Sequence, residues 1–399
     1  MKLAHKLFLV AAEESGDVLG GALMDAVRAL RADVTFGGVG GRHMAANGLA
    51  SLFPVDELTI LGIGAIVPKL PLILRRIRET ADAVAAAKPD ALIIIDSPDF
   101  THRVARRVRK AAPSIPIINY APPTVWAWRP WRARAMRAYV DEVLAILPFE
   151  PAAFARLNGP HCTYVGHPLG ERIGELRPGA EEARRRAADP PVLLVLPGSR
   201  GSEIRRLTPI FGAAIAKVVE RAGALDLVLP TLPHIAAHVA AATADWPVRP
   251  RIVTDAEKKH AAFRVARAAL AASGTVTLEL ALARVPTVAA YRVPAWEGAL
   301  FRIMASIDTV ILANLVLGEN VVPEYLQSDC TPARLAAGLV PLLADSPERR
   351  RQLDAFARLD SIMKLDQEAP STRAARAVLD LVARHGVAAS GALPSSAGS

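Results

Sequence analysis

Ile93-Ile94-Ile95-Asp96-Ser97-Pro98-Asp99-Phe100 is the stretch from which the fold of this chain is read. An unbroken apolar, β-branched run ending in an acidic turn reads as a parallel strand buried on both faces. Open parallel sheets hold their ligands beyond the carboxyl ends of the strands, which makes Asp96 a candidate catalytic base. The same spacing suits a carboxylate that caps the following helix, with Asp99 solvated. Strand and turn alone leave both roles open.

The pattern repeats on either side. Leu7 to Ala12 reads as a first strand, and Glu14-Ser15-Gly16-Asp17 as a polar turn into a helix over Leu19 to Leu30. Glu13, Glu14 and Asp17 would repel a diphosphate, so this loop, with Ser15 and Gly16, is expected to hold neutral hydroxyls. Val34 to Val39, Ile115 to Tyr120 and Val143 to Leu147 read as further strands. After Tyr120 comes Ala121-Pro122-Pro123-Thr124-Val125-Trp126-Ala127-Trp128-Arg129-Pro130-Trp131. Indole rings crowded into a proline-rich loop are costly in water, so Trp126 and Trp128 are expected to line or underlie a pocket. His167 precedes Pro168 and reads as a turn residue in preference to a general base.

Leu58 to Leu74 (LTILGIGAIVPKLPLIL) is apolar, but Pro68, Lys69 and Pro71 interrupt it and it is shorter than the roughly 20 residues a spanning helix needs. Arg75, Arg76 and Arg78 follow directly. Apolar Ile66, Leu70 and Leu72 beside Arg75 and Arg76 suit a segment lying among lipid headgroups; a core helix with a charged outer face is the other reading. The start of the chain, basic and briefly apolar, meets Glu13 too early for a secretory signal and is expected to be a strand.

A length of 399 residues suggests two domains of similar size. With Lys+Arg 48 against Asp+Glu 39, the net charge is +9, and the pI is about 9.9. That balance favours an anionic partner: nucleic acid, a phosphorylated ligand or an acidic membrane. Cys162 and Cys330 are far apart, which excludes a disulfide framework and matches no metal spacing, and a reducing compartment fits.

Residues 171–190 are charged and without a strand pattern, and are expected to be a linker between a domain over 1–170 and another over 191–350. The second half starts again. Val192 to Leu196 is a strand entering Pro197-Gly198-Ser199-Arg200, where small residues admit a backbone to a ligand and Arg200 suits a phosphate. Ala268 to Ala272 enters Ser273-Gly274-Thr275, a turn suited to a diphosphate, with Glu279 placed for the hydroxyls of a ribose; an ordinary capped helix is the plain reading. Asp308 to Glu324 supplies a loop and helix with Asn314, residues 351–385 read as C-terminal helices, and residues 386–399 as a disordered tail. Acidic loops in one half and phosphate-suited turns in the other imply an activated sugar nucleotide facing an acceptor across a cleft.

Eight motifs then stand in order: EESGDVLG, IDSPDF, PPTVWAWRP, LPFEP, VGHPL, LPGSRGSEI, SGTVTLE and ILANLVLGE. Together, from about Leu7 to Leu359, they resemble the lipid-A-disaccharide synthases. The resemblance implies an α/β chain of two Rossmann-like domains of the GT-B type, cytoplasmic and peripheral on the inner membrane. It implies an inverting glycosyltransferase that joins UDP-2,3-diacylglucosamine to 2,3-diacylglucosamine 1-phosphate through a β-1,6 bond and releases UDP, with no metal and no cofactor. It places the base at Asp96, with Asp99 orienting the loop or helping to bind the acceptor, leaving-group contacts at Arg200 and the Ser273–Thr275 turn, the ribose at Glu279, and a diphosphate contact at Asn314. Thr101 stands where many relatives have Asn, and Pro122 where Ser is usual. Two other classes bear weighing: a sugar-nucleotide epimerase or hydrolase, which needs no lipid surface, and a basic nucleic-acid-binding protein, which the acidic loops oppose.

Overall fold

The structure is a computed structural model that describes residues 5–58, 66–294, 309–365 and 367–391, with side chains described except at 66–69 and 386–391. The chain divides into two α/β units: Met1–Pro168 with Gln367–Ser399, and Leu169–Asp366.

In the first unit β1 (His5–Ala11) is followed by α1 (Glu14–Leu30), β2 (Val34–Val39), α2 (Arg42–Ala46) and α3 (Ile66–Ala87). Then come β3 (Ala91–Ile95), α4 (Pro98–Ala111), β4 (Ile117–Tyr120), α5 (Trp131–Met136), β5 (Glu142–Ala145), α6 (Glu150–Arg156) and β6 (His161–Tyr164). The strands form one parallel sheet in the order β2-β1-β3-β4-β5-β6. The isoleucine run is central in it, and all five residues of β3 are fully buried. Ile93 and Ile95 pack into a core with Leu19, Leu23 and Val27 of α1, while Leu92 and Ile94 pack on the opposite face with Ile77 and Val84 of α3 and Val104 and Val108 of α4. Helices on both faces explain why β3 is apolar throughout instead of alternating.

The second unit starts with α7 (Ile173–Leu176) and α8 (Ala180–Ala187), then β7 (Val192–Leu196), α9 (Gly201–Ala222), β8 (Asp226–Pro230) and α10 (Ala236–Ala242). It continues through β9 (Arg251–Val253), α11 (Ala256–Val265), β10 (Ala268–Ala272), α12 (Val276–Leu282), β11 (Thr287–Tyr291) and β12 (Glu324–Leu326). Its sheet is also parallel, in the order β12-β11-β10-β7-β8-β9.

Each sheet contains one point where the chain, having built outward in one direction, returns to build in the other. In the first unit it lies between β1 and β3, and in the second between β7 and β10. Crevices open at the carboxyl ends of such strand pairs. The loops after β1, β3, β7 and β10 are therefore the ones a ligand meets.

Three parts of the sequence reading differ from the structure. The expected linker carries α7 and α8 and is fastened to the second unit by Arg186, whose guanidinium donates to the carbonyls of Phe263 at 2.8 Å, Arg264 at 3.0 Å and Arg284 at 3.1 Å. Phe263 and Arg264 lie in the last turn of the helix Ala256–Val265 and Arg284 lies just beyond the helix Val276–Leu282, where carbonyls are left without full intrahelical bonding, so the arginine clasps helix ends. The C-terminal helices are divided: Pro347–Ile362 belongs to the second unit, while Pro370–Gly391 packs Ala374, Val378 and Leu381 against the α1 side of the first. An amphipathic pattern shows which face is apolar but not which sheet covers it. Within the expected tail, helix continues to Gly391, and residues 392–399 lie outside those described.

Two strands were not expected, β6 and β12. β6 is a polar edge strand, held where Thr163 Oγ1 donates to Glu142 Oε1 at 2.7 Å, and β12 has only three residues. Neither carries the apolar run that marks a strand in sequence.

Candidate active site

At the crevice of the first unit, the run Ile93–Ile95 ends in a strained turn. Asp96 and Ser97 both adopt left-handed backbone, with φ of 52° and 43°, unusual for consecutive residues bearing a Cβ. Thr101 holds this geometry: its hydroxyl donates to Asp96 O at 2.7 Å and Ser97 O at 3.1 Å. The turn points the Asp96 carboxylate back toward α1. There Ser15 Oγ donates to Asp96 Oδ2 at 2.6 Å, and Ser97 N donates to Oδ1 at 2.7 Å. Gly16 makes this approach possible, because a Cβ there would sit 3.1 Å from Ile95 O and 3.2 Å from the Ala11 Cβ. Asp96 thus has both oxygens oriented and remains partly exposed, the state a proton acceptor needs.

Asp99, one turn on, has a carboxylate 87% exposed and a long 3.5 Å pairing to Arg132. Asp17 is spent on the fold. Buried at 2% exposure, it accepts from the N–H groups of Gly41 (2.7 Å), His43 (2.8 Å) and Met44 (3.1 Å), anchoring the start of α2. An acidic residue in a ligand loop is in this case an anion for a helix N-terminus.

A cavity of about 1230 Å³ opens beside this turn. One wall is acidic, with Glu13, Glu14 and Asp99; another is apolar, with Val55, Leu70, Ile73 and Phe100; Arg42 and Arg103 supply cations. Arg42 is paired with Glu14 at 2.7 Å. Such a wall suits an amphiphile with a hydroxylated head.

The apolar wall continues to the surface along α3. Leu70 and Leu74, one turn apart, are 42% and 47% exposed, with Arg75 and Arg78 exposed beside them. Leu72 is half-buried, and the Ile66 side chain lies outside the described residues. Arg76 differs from expectation. Its guanidinium is tied to Glu57 and Glu79, each at 2.6 Å, and lies over the Phe53 ring at 4.5 Å, which withdraws it from any lipid phosphate. Among the described residues no helix is long and apolar enough to cross a membrane.

The tryptophan loop also sorts by burial. Trp126 is 6% exposed, stacks edge-on against Phe149 and donates from Nε1 to Glu150 Oε1 at 3.1 Å, so it underlies the site and does not line it. Burial pushes the Glu150 carboxyl up to about 7, against backbone donors at Ile146 and Leu147. Trp128 is half-buried under Arg129. His167 fits the turn role, burial pushing its imidazole down to about 4.

In the second unit the loop after β7 closes around one carboxylate, Glu203. Glu203 Oε2 accepts from the N–H groups of Ser199 at 3.0 Å and Arg200 at 3.2 Å, while Oε1 accepts from Arg200 Nη1 at 3.0 Å and Tyr291 OH at 3.1 Å. Gly198 is required here, with φ of 105° and a Cβ that would fall 2.3 Å from Glu203 Oε2. The Arg200 side chain stays 77% exposed yet tethered. Glu203, which stands in the motif LPGSRGSEI but was given no role there, was legible as the acidic residue three positions beyond a helix N-cap. Tyr291 was not, since it ends β11, two places from β7 in the sheet, and only the sheet order brings it near.

The loop after β10 presents exposed Gly274 and Thr275, whose N–H groups carry no hydrogen bond among the described residues, and Ser273 Oγ reaches Val310 O at 3.4 Å. Glu279, on α12, is paired with Lys259 Nζ at 2.5 Å. Asn314 contradicts its expected role as a diphosphate contact. It is 2% exposed, its Oδ1 accepts from Val321 N at 3.0 Å and Val322 N at 2.9 Å, and its Nδ2 donates to Val322 O at 3.0 Å. Its amide braces the loop after the helix Leu312–Leu317 and has no group left for a ligand.

The chain has known relatives. The family model described as lipid-A-disaccharide synthetase matches residues 7–378. The chain belongs to the lipid-A-disaccharide synthase family. Among its relatives, the lipid-A-disaccharide synthase of Rhodopseudomonas palustris strain HaA2 is 60% identical, covering 96% of this chain and 97% of its own. That of Nitrobacter hamburgensis is 60% identical over 94% and 96%, and that of Rhodospirillum centenum 46% over 96% of each. The chain is thus a glycosyltransferase of lipid A biosynthesis. Solved structures agree on the fold: the calicheamicin glycosyltransferase CalG4 matches at TM-score 0.58 with 18% identity, covering 96% of this chain and 99% of its own. MurG of Acinetobacter baumannii matches at 0.56 with 17% identity, over 95% and 99%. The Staphylococcus aureus MnaA structure solved with UDP matches at 0.62 with 11% identity, over 99% and 100%. Two Rossmann-like units of the GT-B type account for both sheets.

Proposed function

We propose that this enzyme transfers the sugar of UDP-2,3-diacylglucosamine to the 6-hydroxyl of 2,3-diacylglucosamine 1-phosphate, releasing UDP with inversion. The observation that carries the reading is the Asp96 carboxylate, aimed by Ser15 and Ser97 beside a cavity with one acidic and one apolar wall. In this mechanism Asp96 takes the proton of the acceptor hydroxyl as its oxygen attacks the anomeric carbon, and the bond to UDP breaks on the opposite face. Negative charge grows on the departing diphosphate. Arg200, held out from the loop by Glu203, and the N–H groups of Gly274 and Thr275 are the donors that offset it. Glu279 takes the ribose hydroxyls. Asp99 stands at the acceptor side, and the apolar wall of the cavity takes the acyl chains.

Both substrates carry fatty chains, so the enzyme works at a cytoplasmic membrane face. Leu70 and Leu74 with Arg75 and Arg78 form the docking strip, the leucines entering the acyl boundary and the arginines meeting anionic headgroups. The test is to incubate the protein with both acylated glucosamines and identify products by mass spectrometry. Disaccharide 1-phosphate and UDP in equal amounts are expected from the wild type, and almost none from a folded Asp96→Asn variant. Consumption of UDP-N-acetylglucosamine alone, or near-normal turnover by Asp96→Asn, would overturn the substrate assignment or the base assignment respectively.

A further inference from the structure

Lys259 occupies an electrostatically awkward place. It lies in the first turn of α11, where the helix dipole disfavours a cation, and Asp255 already caps that end by accepting from Lys258 N at 3.1 Å. Its ammonium lies over the buried Phe263 ring, with Nζ 5.3 Å from the centroid, and meets Glu279 Oε2 at 2.5 Å. Both side chains are largely covered, at 31% and 19% exposure. His260, the next residue, turns instead to Glu175 at 3.1 Å, so Glu279 is the acidic partner that the described residues give Lys259.

We propose that Lys259 is a positioning residue for nucleotide recognition: it fixes the Glu279 carboxylate toward the ribose hydroxyls and cancels its charge near the diphosphate. The inference rests on the reading that Glu279 takes the ribose. A carboxylate that accepts from two adjacent hydroxyls must turn both oxygens toward the diol, and a lysine bound to one oxygen fixes the rotation of the group. It also removes the repulsion an unpaired carboxylate would exert on a diphosphate anion.

UDP and 2′-deoxy-UDP are the probes, titrated calorimetrically into the full-length protein. Wild type is expected to prefer UDP. Lys259→Met, which keeps an unbranched side chain and removes the charge, is expected to weaken UDP about tenfold and to shrink the preference for UDP over 2′-deoxy-UDP; Lys259→Arg is expected to restore most of it. In the Glu279→Gln background, Lys259→Met should leave the ratio of UDP to 2′-deoxy-UDP affinity unchanged. A preference for the ribose that survives Lys259→Met, or equal losses for both nucleotides, overturns the positioning role while leaving Glu279 in place. A wild type that binds both nucleotides equally, with Glu279→Gln unchanged, overturns the ribose reading and the inference with it.

Discussion

Ser15→Ala deletes one oxygen and tests whether the Asp96 carboxylate works because it is held. Ser15 donates to Asp96 Oδ2 at 2.6 Å, a short bond of the charge-assisted kind. Hydrogen bonds to charged groups contribute about 1.5–3 kcal/mol net. Ser15 is exposed, so water replaces part of the bond, and the lower end applies. At about 1.4 kcal/mol per factor of ten, the expected loss is roughly tenfold. It should fall on kcat, because the retained Ser97 N bond at 2.7 Å keeps the carboxylate in place while leaving it free to turn out of line. The assay is steady-state disaccharide formation with each substrate varied in turn. Ser15→Thr, which keeps the hydroxyl, should recover most of the rate. A kcat within twofold of wild type for Ser15→Ala, or a defect confined to the acceptor KM, would refute the idea that this bond orients the base.

In the second unit, Tyr291→Phe removes one of the donors to Glu203 and should raise the donor KM several-fold, from about 1 kcal/mol, with kcat nearly unchanged; an unaltered KM removes Tyr291 from the support of Arg200. Gly198→Ala forces a Cβ against Glu203 at a φ of 105°, so UDP affinity measured by titration should fall at least tenfold, and normal affinity would show that the loop can re-form without this turn. Leu70→Ser with Leu74→Ser should cut sedimentation with anionic vesicles more than tenfold, at about 1–2 kcal/mol per leucine, while Arg76→Gln should matter less; unchanged sedimentation removes the docking strip. Burial pushes His102 and His167 down to about 4, so between that value and 6.5 the unfolded chain binds protons the folded one refuses, and stability is lost as pH falls through this window, on the order of 3 kcal/mol per histidine. Glu150, raised to about 7, acts in the opposite sense and offsets part of this loss. Around His102 stand Tyr139, Asn119, Arg106, Arg132 and Asp99; His102→Gln should flatten the slope of urea midpoint against pH between 4 and 6.5, and an unchanged slope would remove His102 as a source.

Much of this was legible because the chemistry lies next to strand ends. The isoleucine run announces β3 by composition, and the turn that follows must carry whatever the crevice uses. The same holds for the loops after β1, β7 and β10, each a run of small or polar residues directly after an apolar strand. Asn314 shows where this logic fails. Its neighbourhood resembles a ligand loop, but burial and three backbone bonds make it a brace, and no local pattern separates a polar group that meets a ligand from one that meets its own backbone. Asp17 and Arg76 were misread for the same reason. Charge is visible in a sequence, and its partner is not.

The supporting residues come from elsewhere in the chain, and only topology brings them in. Ser15 and Asp96 are 81 positions apart and meet because β1 and β3 are neighbours in the sheet. Tyr291 and Glu203 are 88 apart and belong to the elements around β10 and β7, while Lys259 and Glu279 flank β10 from successive helices. In both units the strand order reverses once, and the residues that hold the candidate ligand-facing side chains stand on the strands and helices that border that point. A variant that weakens such a support should therefore move activity further than stability, since the bond it breaks lies at the end of the sheet and not in its core.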